Sequence, residues 1–156
     1  MRGDDSRTMM ATWDGCDEEL GTVAMSPTTI RFLKVGMAYF VLGALLGTLL
    51  AVPATRDLLS RAPGAQWRLA HTHLNLAGFV VMIIFGVAYH ILPRFAGKPL
   101  RSEAWASAHF WIATFATAGM VIGFIAPAAV VLLWAGSVAQ FAGIVLGVVN
   151  LWLTIR

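Results

Sequence analysis

Four long apolar segments constrain this chain more than any other feature of its sequence. Each holds 20 or more residues with few charges, and they cover residues 30–53, 68–92, 104–126 and 128–154. An α-helix rises about 1.5 Å per residue, so each segment can cross a hydrocarbon core about 30 Å thick. Pro53, Pro93 and Pro127 mark the ends of the first three. The sequence therefore predicts an all-α polytopic membrane protein, a bundle of four transmembrane helices within residues 28–156.

The overall composition supports this class and excludes others. Apolar residues make up 58% of the chain and charged residues only 12%, whereas a soluble domain carries about 25% charged residues. Nucleic acid is not an expected partner, because the basic residues flank apolar segments instead of forming a patch among aromatics. Cys16 is the single cysteine, which excludes an internal disulfide and a cysteine-based metal site within one chain.

Residues 1–27 differ from the rest and predict a disordered polar tail. They contain few large apolar residues and no secretory signal-peptide core. An alternative interpretation is that Met25 is the true start of the protein. The tail holds six acidic residues, namely Asp4, Asp5, Asp14, Asp17, Glu18 and Glu19.

The basic residues predict the orientation of the bundle. The tail, the connection between the second and third segments and the C-terminus share one side of the membrane. That side holds eight basic residues: Arg2, Arg7, Arg31, Lys34, Arg94, Lys98, Arg101 and Arg156. The opposite side holds three: Arg56, Arg61 and Arg68. Positive charge favours the cytoplasm, so we expect both termini to be cytoplasmic.

Two pairs of glycines have the spacing of close helix packing. Gly43 and Gly47 lie in the first segment, and Gly143 and Gly147 lie in the fourth. The G-x-x-x-G pattern lets helix backbones approach closely in a membrane. It predicts either tight packing inside the bundle or the seam of a dimer.

Two of the four histidines open the second segment on different faces. At about 100° per residue, His71 falls on a small and polar stripe that we expect to face the interior. His73 falls on a face that looks suited to lipid or to a partner subunit. The stripe of His71 contains Asn75, Gly78, Met82, Gly86 and Tyr89, and the face of His73 contains Ala77, Val80, Ile84 and Val87.

The other two histidines lie toward the opposite side of the membrane. His90 is near the end of the second segment and His109 near the start of the third, so the two are expected at similar depth. His71 and His90 are about 28 Å apart along the helix axis and cannot share one metal. The third segment has its own interior stripe of mostly small residues: His109, Ala113, Ala116, Met120 and Gly123.

Ionisable side chains inside a membrane are functional candidates by default. A structural zinc site requires four close ligands, and no carboxylate inside the segments completes one. Haem requires only one or two imidazoles, and the absence of a C-x-x-C-H motif fits a non-covalent haem b. The candidate cofactor-binding residues are His71, His73, His90 and His109; copper is not expected within this chain alone.

Residues 70–120 resemble the second and third helices of the haem–copper oxidase subunit I superfamily, which includes cytochrome c oxidases and nitric oxide reductases. The matching features are a histidine at the outer end of the second helix, the motif GVAYHILP (86–93) at its inner end, and AHFW (108–111) opening the third. The glycine-rich run GALLGTLLA (43–51) is similar to the family's first helix.

The resemblance implies a ligand and a setting. In that family the histidine of the second helix is an axial ligand of the low-spin haem, and His71 matches it best, counting back from Pro93, with His73 as the alternative. The family's remaining ligands come from helices beyond the fourth, so this chain resembles only its first four helices and is too short for the whole catalytic centre. Candidates for a second axial ligand are Met82, Met120, another histidine, a second copy of the chain or a partner.

Two functions follow as hypotheses. The first is a b-type haem protein of a bacterial inner membrane, acting in respiratory or denitrification electron transfer or in O₂ or NO binding. The second is a cofactor-free accessory or assembly subunit of a terminal oxidase or nitric oxide reductase. Whether the chain is itself an enzyme stays open. The expected partners are the lipid bilayer and either a second copy or a larger oxidase or reductase.

Overall fold

The structure confirms an all-helical membrane protein with four long apolar spans. It is a computed structural model that describes residues 25–156. The predicted tail, residues 1–27, lies almost entirely outside the described residues. The helices are α1 (Pro27–Ala51), α2 (Pro53–Ser60), α3 (Trp67–Phe95), α4 (Glu103–Ile125) and α5 (Val130–Ile155). A single 3₁₀ turn, Pro127–Ala129, leads into α5.

Serine caps begin two of the spans. The hydroxyl of Ser26 accepts a hydrogen bond from the backbone N–H of Thr29 (3.2 Å), and Pro27 follows at the first helical position. The hydroxyl of Ser102 accepts in the same way from Trp105 (3.2 Å), and Glu103 lies in the first turn of α4. Such caps satisfy backbone donors that a helix start leaves free.

Pro53 and Pro93 do not act only as helix ends, as the sequence predicted for both. Pro53 ends α1 as expected, but it also begins α2, because a proline has the backbone angle that a first helical position requires. Pro93 does not end α3, which continues to Phe95. Proline removes one backbone donor, yet the next turn still closes, since the N–H of Ala96 donates to the carbonyl of Leu92 (3.0 Å).

A stretch of π-helix interrupts α3 at Leu74–Val81, directly after His73. No pattern in the sequence predicted this stretch. π-Helical turns are rare and frequently occur at functional sites. Here the turn coincides with a close crossing, because a Cβ atom on Gly78 would lie 2.7 Å from Cγ of Tyr39 on α1. The hydroxyl of Tyr39 in turn donates to the carbonyl of Thr114 on α4 (2.7 Å).

The spans pack in a simple order, and both glycine pairs lie inside the bundle. α1 packs along α3, α3 also packs on α4, and α4 packs along α5. Gly43 and Gly47 of α1 face α3, and Gly143 and Gly147 of α5 face α4. Of the two interpretations of the G-x-x-x-G pattern, packing within the bundle is therefore confirmed for both pairs.

The predicted interior stripes are confirmed. On α3, Gly78, Met82, Gly86 and Tyr89 are buried, and His71 and Asn75 at the start of the stripe are half-buried. On α4 all five residues of the predicted stripe are buried: His109, Ala113, Ala116, Met120 and Gly123. The opposite face of α3 exposes Val80, Ile84 and Val87, as expected for a surface in contact with lipid.

The orientation of the bundle stays a prediction, and reporter fusions test it. Green fluorescent protein fused after Arg156 should fluoresce, since we expect this end in the cytoplasm. Alkaline phosphatase, which needs the disulfides of an oxidising compartment, should be active when inserted after Arg61. The reverse pattern at the two positions would contradict the expected topology.

Replacing Gly147 with alanine should destabilise the bundle. The new Cβ would lie 2.5 Å from two atoms of the His109 ring and 2.8 Å from Phe85. We expect a net loss of about 1–3 kcal/mol in the free energy of unfolding, because overpacking outweighs the gain in helix propensity. Denaturation in detergent measures it. Gly119→Ala is the matched control, because its Cβ would meet a single atom at 3.3 Å; equal losses for both variants would count against the packing argument.

Candidate functional site

His71 is half-buried between α3 and α1, and its tautomer follows from its hydrogen bond. Its Nδ1 lies 2.9 Å from the carbonyl oxygen of Gly43. A carbonyl can only accept, so Nδ1 carries the hydrogen and the neutral ring keeps a lone pair on Nε2. Asn75 donates from Nδ2 to the backbone carbonyl of His71 (2.8 Å), and the same Nδ2 lies 3.3 Å from Nδ1 of the ring, which is a longer contact than the one to Gly43.

The glycine pair of α1 forms a notch for these two side chains. A Cβ on Gly47 would lie 2.7 Å from Cε1 of His71, and one on Gly43 would lie 2.6 Å from Nδ2 of Asn75. Real Cβ atoms do not approach other atoms this closely. The first G-x-x-x-G pattern thus makes room for an imidazole and an amide, and the backbone of the same notch orients the imidazole.

His73 contacts a neighbouring helix, a contact that the helical projection of α3 alone does not show. Its ring is half-buried, with its centroid 4.7 Å from that of Phe124 on α4. Its Nδ1 bonds to the carbonyl of Leu69 in its own helix (2.9 Å). The helical projection placed His73 correctly on its own helix, but it carried no information about the aromatic ring that a neighbouring helix brings alongside.

His90 has the opposite tautomer from His71. The guanidinium of Arg94 donates to Nδ1 of His90 (2.8 Å). Because Nδ1 accepts, the neutral ring carries its hydrogen on Nε2 and has no further lone pair for a metal. This geometry disfavours His90 as a ligand.

His109 is fully buried in the core, with 0% of its surface exposed. Its Nδ1 lies 2.9 Å from the hydroxyl of Tyr89, the residue before His90 on α3. His109 therefore lies near the depth of this turn of α3, as the sequence predicted for His90 and His109. The ring of Phe85 packs edge-on at 4.4 Å, and that of Phe32 lies at 5.2 Å. Its Nε2 has no hydrogen-bond partner among the described residues.

Asn150 is not among the candidate ligands, but its polar side chain in an apolar span predicts a hydrogen bond between helices. It is fully buried on α5 and donates from Nδ2 to the carbonyl of Ser102 (2.8 Å), while its Oδ1 has no partner in the described part of the chain. The signal was present, because Asn150 follows Gly147 by three residues and so lies on the packing face of the same helix.

The structure does not gather the histidines into one site. Within residues 25–156 no hydrogen bond or ring contact joins any two of them, and no group of three or more His, Cys, Asp or Glu residues could hold a metal ion. Open cavities of about 280 to 420 Å³ lie on the described surface at other places, lined by neither His71 nor His73. The donor chemistry of His71 fits a haem ligand, although none of these cavities lies beside it.

The family follows from comparison with known proteins. The sequence profile of the family described as "Cytochrome C and Quinol oxidase polypeptide I" matches residues 19–156. The chain belongs to this family. The resemblance to the haem–copper oxidase subunit I superfamily is thereby confirmed, and the four apolar spans make the chain an integral membrane protein.

Curated relatives are bacterial oxidase subunits. The Cbb3-type cytochrome c oxidase subunit CcoN1 of Stutzerimonas stutzeri is 29% identical over 93 residues, which are 59% of this chain and 19% of the relative. Cytochrome c oxidase subunit 1 of Rhodobacter capsulatus is 28% identical over 112 residues, which are 67% of this chain and 20% of the relative. A cytochrome c oxidase subunit 1 homolog of Agrobacterium tumefaciens is 25% identical over 138 residues, which are 84% of this chain and 23% of the relative. The chain therefore spans about a fifth of the length of the curated relatives it matches, and the bacterial relatives support an inner-membrane location.

Removing the hydroxyl of Tyr89 should destabilise the bundle through His109. The variant Tyr89→Phe leaves Nδ1 of His109 buried without a partner, at a cost of about 1–3 kcal/mol in unfolding free energy. In the double variant Tyr89→Phe/His109→Leu the orphaned nitrogen is gone, so its total loss should be smaller than the sum of the two single losses. Unfolding of all four proteins in one detergent measures the coupling. Additive losses would show that the bond contributes nothing.

Proposed function

We propose that this chain is a membrane-embedded haem-binding relative of cytochrome c oxidase subunit I, with haem b held by Nε2 of His71. The observation that carries the proposal is the orientation of the His71 imidazole. The backbone carbonyl of Gly43 on α1 fixes its tautomer, and Gly47 provides the space for the ring. Metal-binding histidines usually donate their other ring N–H to a carbonyl or carboxylate, which orients the ring and raises its basicity. When bound, the haem would supply one-electron redox chemistry or a position for O₂ or NO.

The other histidines fit this role less well. Nδ1 of His90 accepts from Arg94, so its Nε2 is protonated in the neutral ring. His109 is enclosed by the aromatic rings of the core, which leaves no approach for a macrocycle. His73 keeps a lone pair on Nε2 but has no glycine notch, and Phe124 covers its ring. Because its Nε2 is free to bind a metal, His73 is the alternative ligand to His71.

A second ligand for the haem would come from a donor outside these four spans. Met82 lies 11 residues from His71, which is about 16 Å along a helix axis. Met120 lies near the depth of His71, in a cluster with Ala70 and Phe124, but its side chain packs against Gly136 of α5. A second copy of the chain or a partner subunit would supply both the missing ligand and the missing wall of the site.

A cofactor-free accessory subunit of an oxidase or nitric oxide reductase is the second candidate function. The observation that favours it is that the open cavities of about 280 to 420 Å³ are lined by neither His71 nor His73. In this function the His71–Gly43 bond is only a contact between helices.

The optical spectrum of the purified protein tests the first proposal. Protein made with added haem precursor should show a reduced-minus-oxidised spectrum with a Soret band. His71→Ala should remove or shift the band, because it removes the proposed ligand, while His73→Ala should change it little. Free imidazole should restore part of the band in His71→Gly, since the glycine leaves room for it.

Two results would decide against haem binding at His71. One is a preparation that is folded and free of a Soret band even after haem is supplied. The other is an unchanged spectrum in His71→Ala. Copurification of a larger oxidase with all four histidines replaced and its haem content unchanged would support the accessory-subunit function.

A further inference from the structure

A cavity lies at the corner where α1, α2 and α3 meet, at the end of the bundle opposite the termini. Its volume is about 380 Å³, and it is open to the surface. We call it the corner cavity; six of its lining residues carry the argument, namely Leu50, Arg56, Asp57, Leu59, Trp67 and Arg68. It involves none of the histidines.

The corner cavity lies at the membrane surface. α1 has 25 residues and already spans the hydrocarbon core, so α2 and the start of α3 fall at the boundary with water. α2 exposes Leu58 and buries no residue in the bundle, as expected for a helix lying in the interface. Trp67, the first residue of α3, is of a type enriched at this depth.

The lining combines an apolar floor with positive charge. Leu50, Leu59 and Trp67 provide the apolar part. Arg68 has no carboxylate within 4.0 Å among the described residues, and Arg56 has only a 3.7 Å contact with Asp57 that is open to solvent on both sides. An exposed pair of this kind contributes little, so both guanidinium groups remain able to bind an added anion.

Hydrogen bonds hold the walls of the cavity in place. The indole N–H of Trp67 donates to the carbonyl of Leu59 (3.0 Å), which joins α2 to the start of α3. The hydroxyl of Thr55 donates to the carbonyls of Leu49 and Val52, which fixes the turn between α1 and α2. The two arginines are thus carried on helices with a set separation.

We propose that the corner cavity binds the phosphate headgroup of an anionic phospholipid, with one acyl chain against its apolar floor. A free phosphate shares the charge chemistry but would leave the leucine and tryptophan surfaces uncovered. A lipid fills both parts, and phospholipid surrounds a helix that lies in the membrane interface.

Native mass spectrometry of the purified full chain tests the proposal. The probe is dioleoyl phosphatidylglycerol, with dioleoyl phosphatidylcholine as the uncharged comparison. The wild type should retain phosphatidylglycerol preferentially, and each of Arg56→Gln and Arg68→Gln should weaken retention about fivefold. Arg61→Gln is the matched control, since Arg61 lies on the same side of the membrane and does not line the cavity. Asp57→Asn should strengthen retention, because it removes the one opposing charge.

Other arms of the experiment separate the alternatives. Arg56→Lys/Arg68→Lys should keep the preference for phosphatidylglycerol, which shows that a loss in the glutamine variants reflects charge and not misfolding. Equal displacement of the lipid by inorganic phosphate would make this a soluble-anion site and overturn the proposal. Unchanged lipid retention in Arg56→Gln/Arg68→Gln would also overturn it. A loss of lipid seen only in samples that have also lost haem would overturn it as well. Haem content is measured in the same samples, so failure of this proposal is distinguishable from failure of haem binding at His71.

Discussion

Lipid tails are as apolar as leucine, so helices in a membrane associate through close packing and through hydrogen bonds between them. In this bundle the two effects coincide at the glycine pairs. Gly43 and Gly47 bring the backbone of α1 close enough for a carbonyl to bond an imidazole on α3. Gly143 and Gly147 bring α5 against the ring of His109 on α4. The outer helices α1 and α5 are thus each held against an inner helix through a histidine.

The two histidine notches differ in what surrounds them, and this difference separates structure from proposed function. His109 is closed in by Phe32, Phe85 and Gly147, and its one hydrogen bond joins it to Tyr89 within the core. His71 has the same kind of notch but stays half-buried, and its bond goes to a backbone carbonyl. A ring that is oriented but not enclosed can accept a ligand from outside, whereas an enclosed ring stabilises the fold.

The sequence predicted what depends on local chemistry along one helix. Long apolar runs give the four spans, and the helical period gives the buried stripes of α3 and α4, because both need no knowledge of neighbouring helices. Features that depend on a second helix were missed. The π-helical turn coincides with the crossing of Tyr39 over Gly78, and the ring contact of His73 depends on Phe124 of α4. α2 was missed for another reason: Pro53 was taken only as the end of one helix, although it also starts the next.

At the candidate site, too, the sequence predicted the residues but not the contacts that a neighbouring group makes with them. All four histidines could be chosen from the sequence, but their tautomers could not, because each depends on the group that faces Nδ1. A carbonyl facing Nδ1, as at His71, leaves Nε2 free to bind a metal, and a guanidinium facing Nδ1, as at His90, does not. Ranking these two residues as ligands therefore requires Gly43 and Arg94 as much as the histidines themselves. Substituting Gly43 would not remove its carbonyl. Gly47, whose missing side chain makes room for the ring, is therefore a position of α1 at which a mutation would displace the His71 ring without replacing that residue.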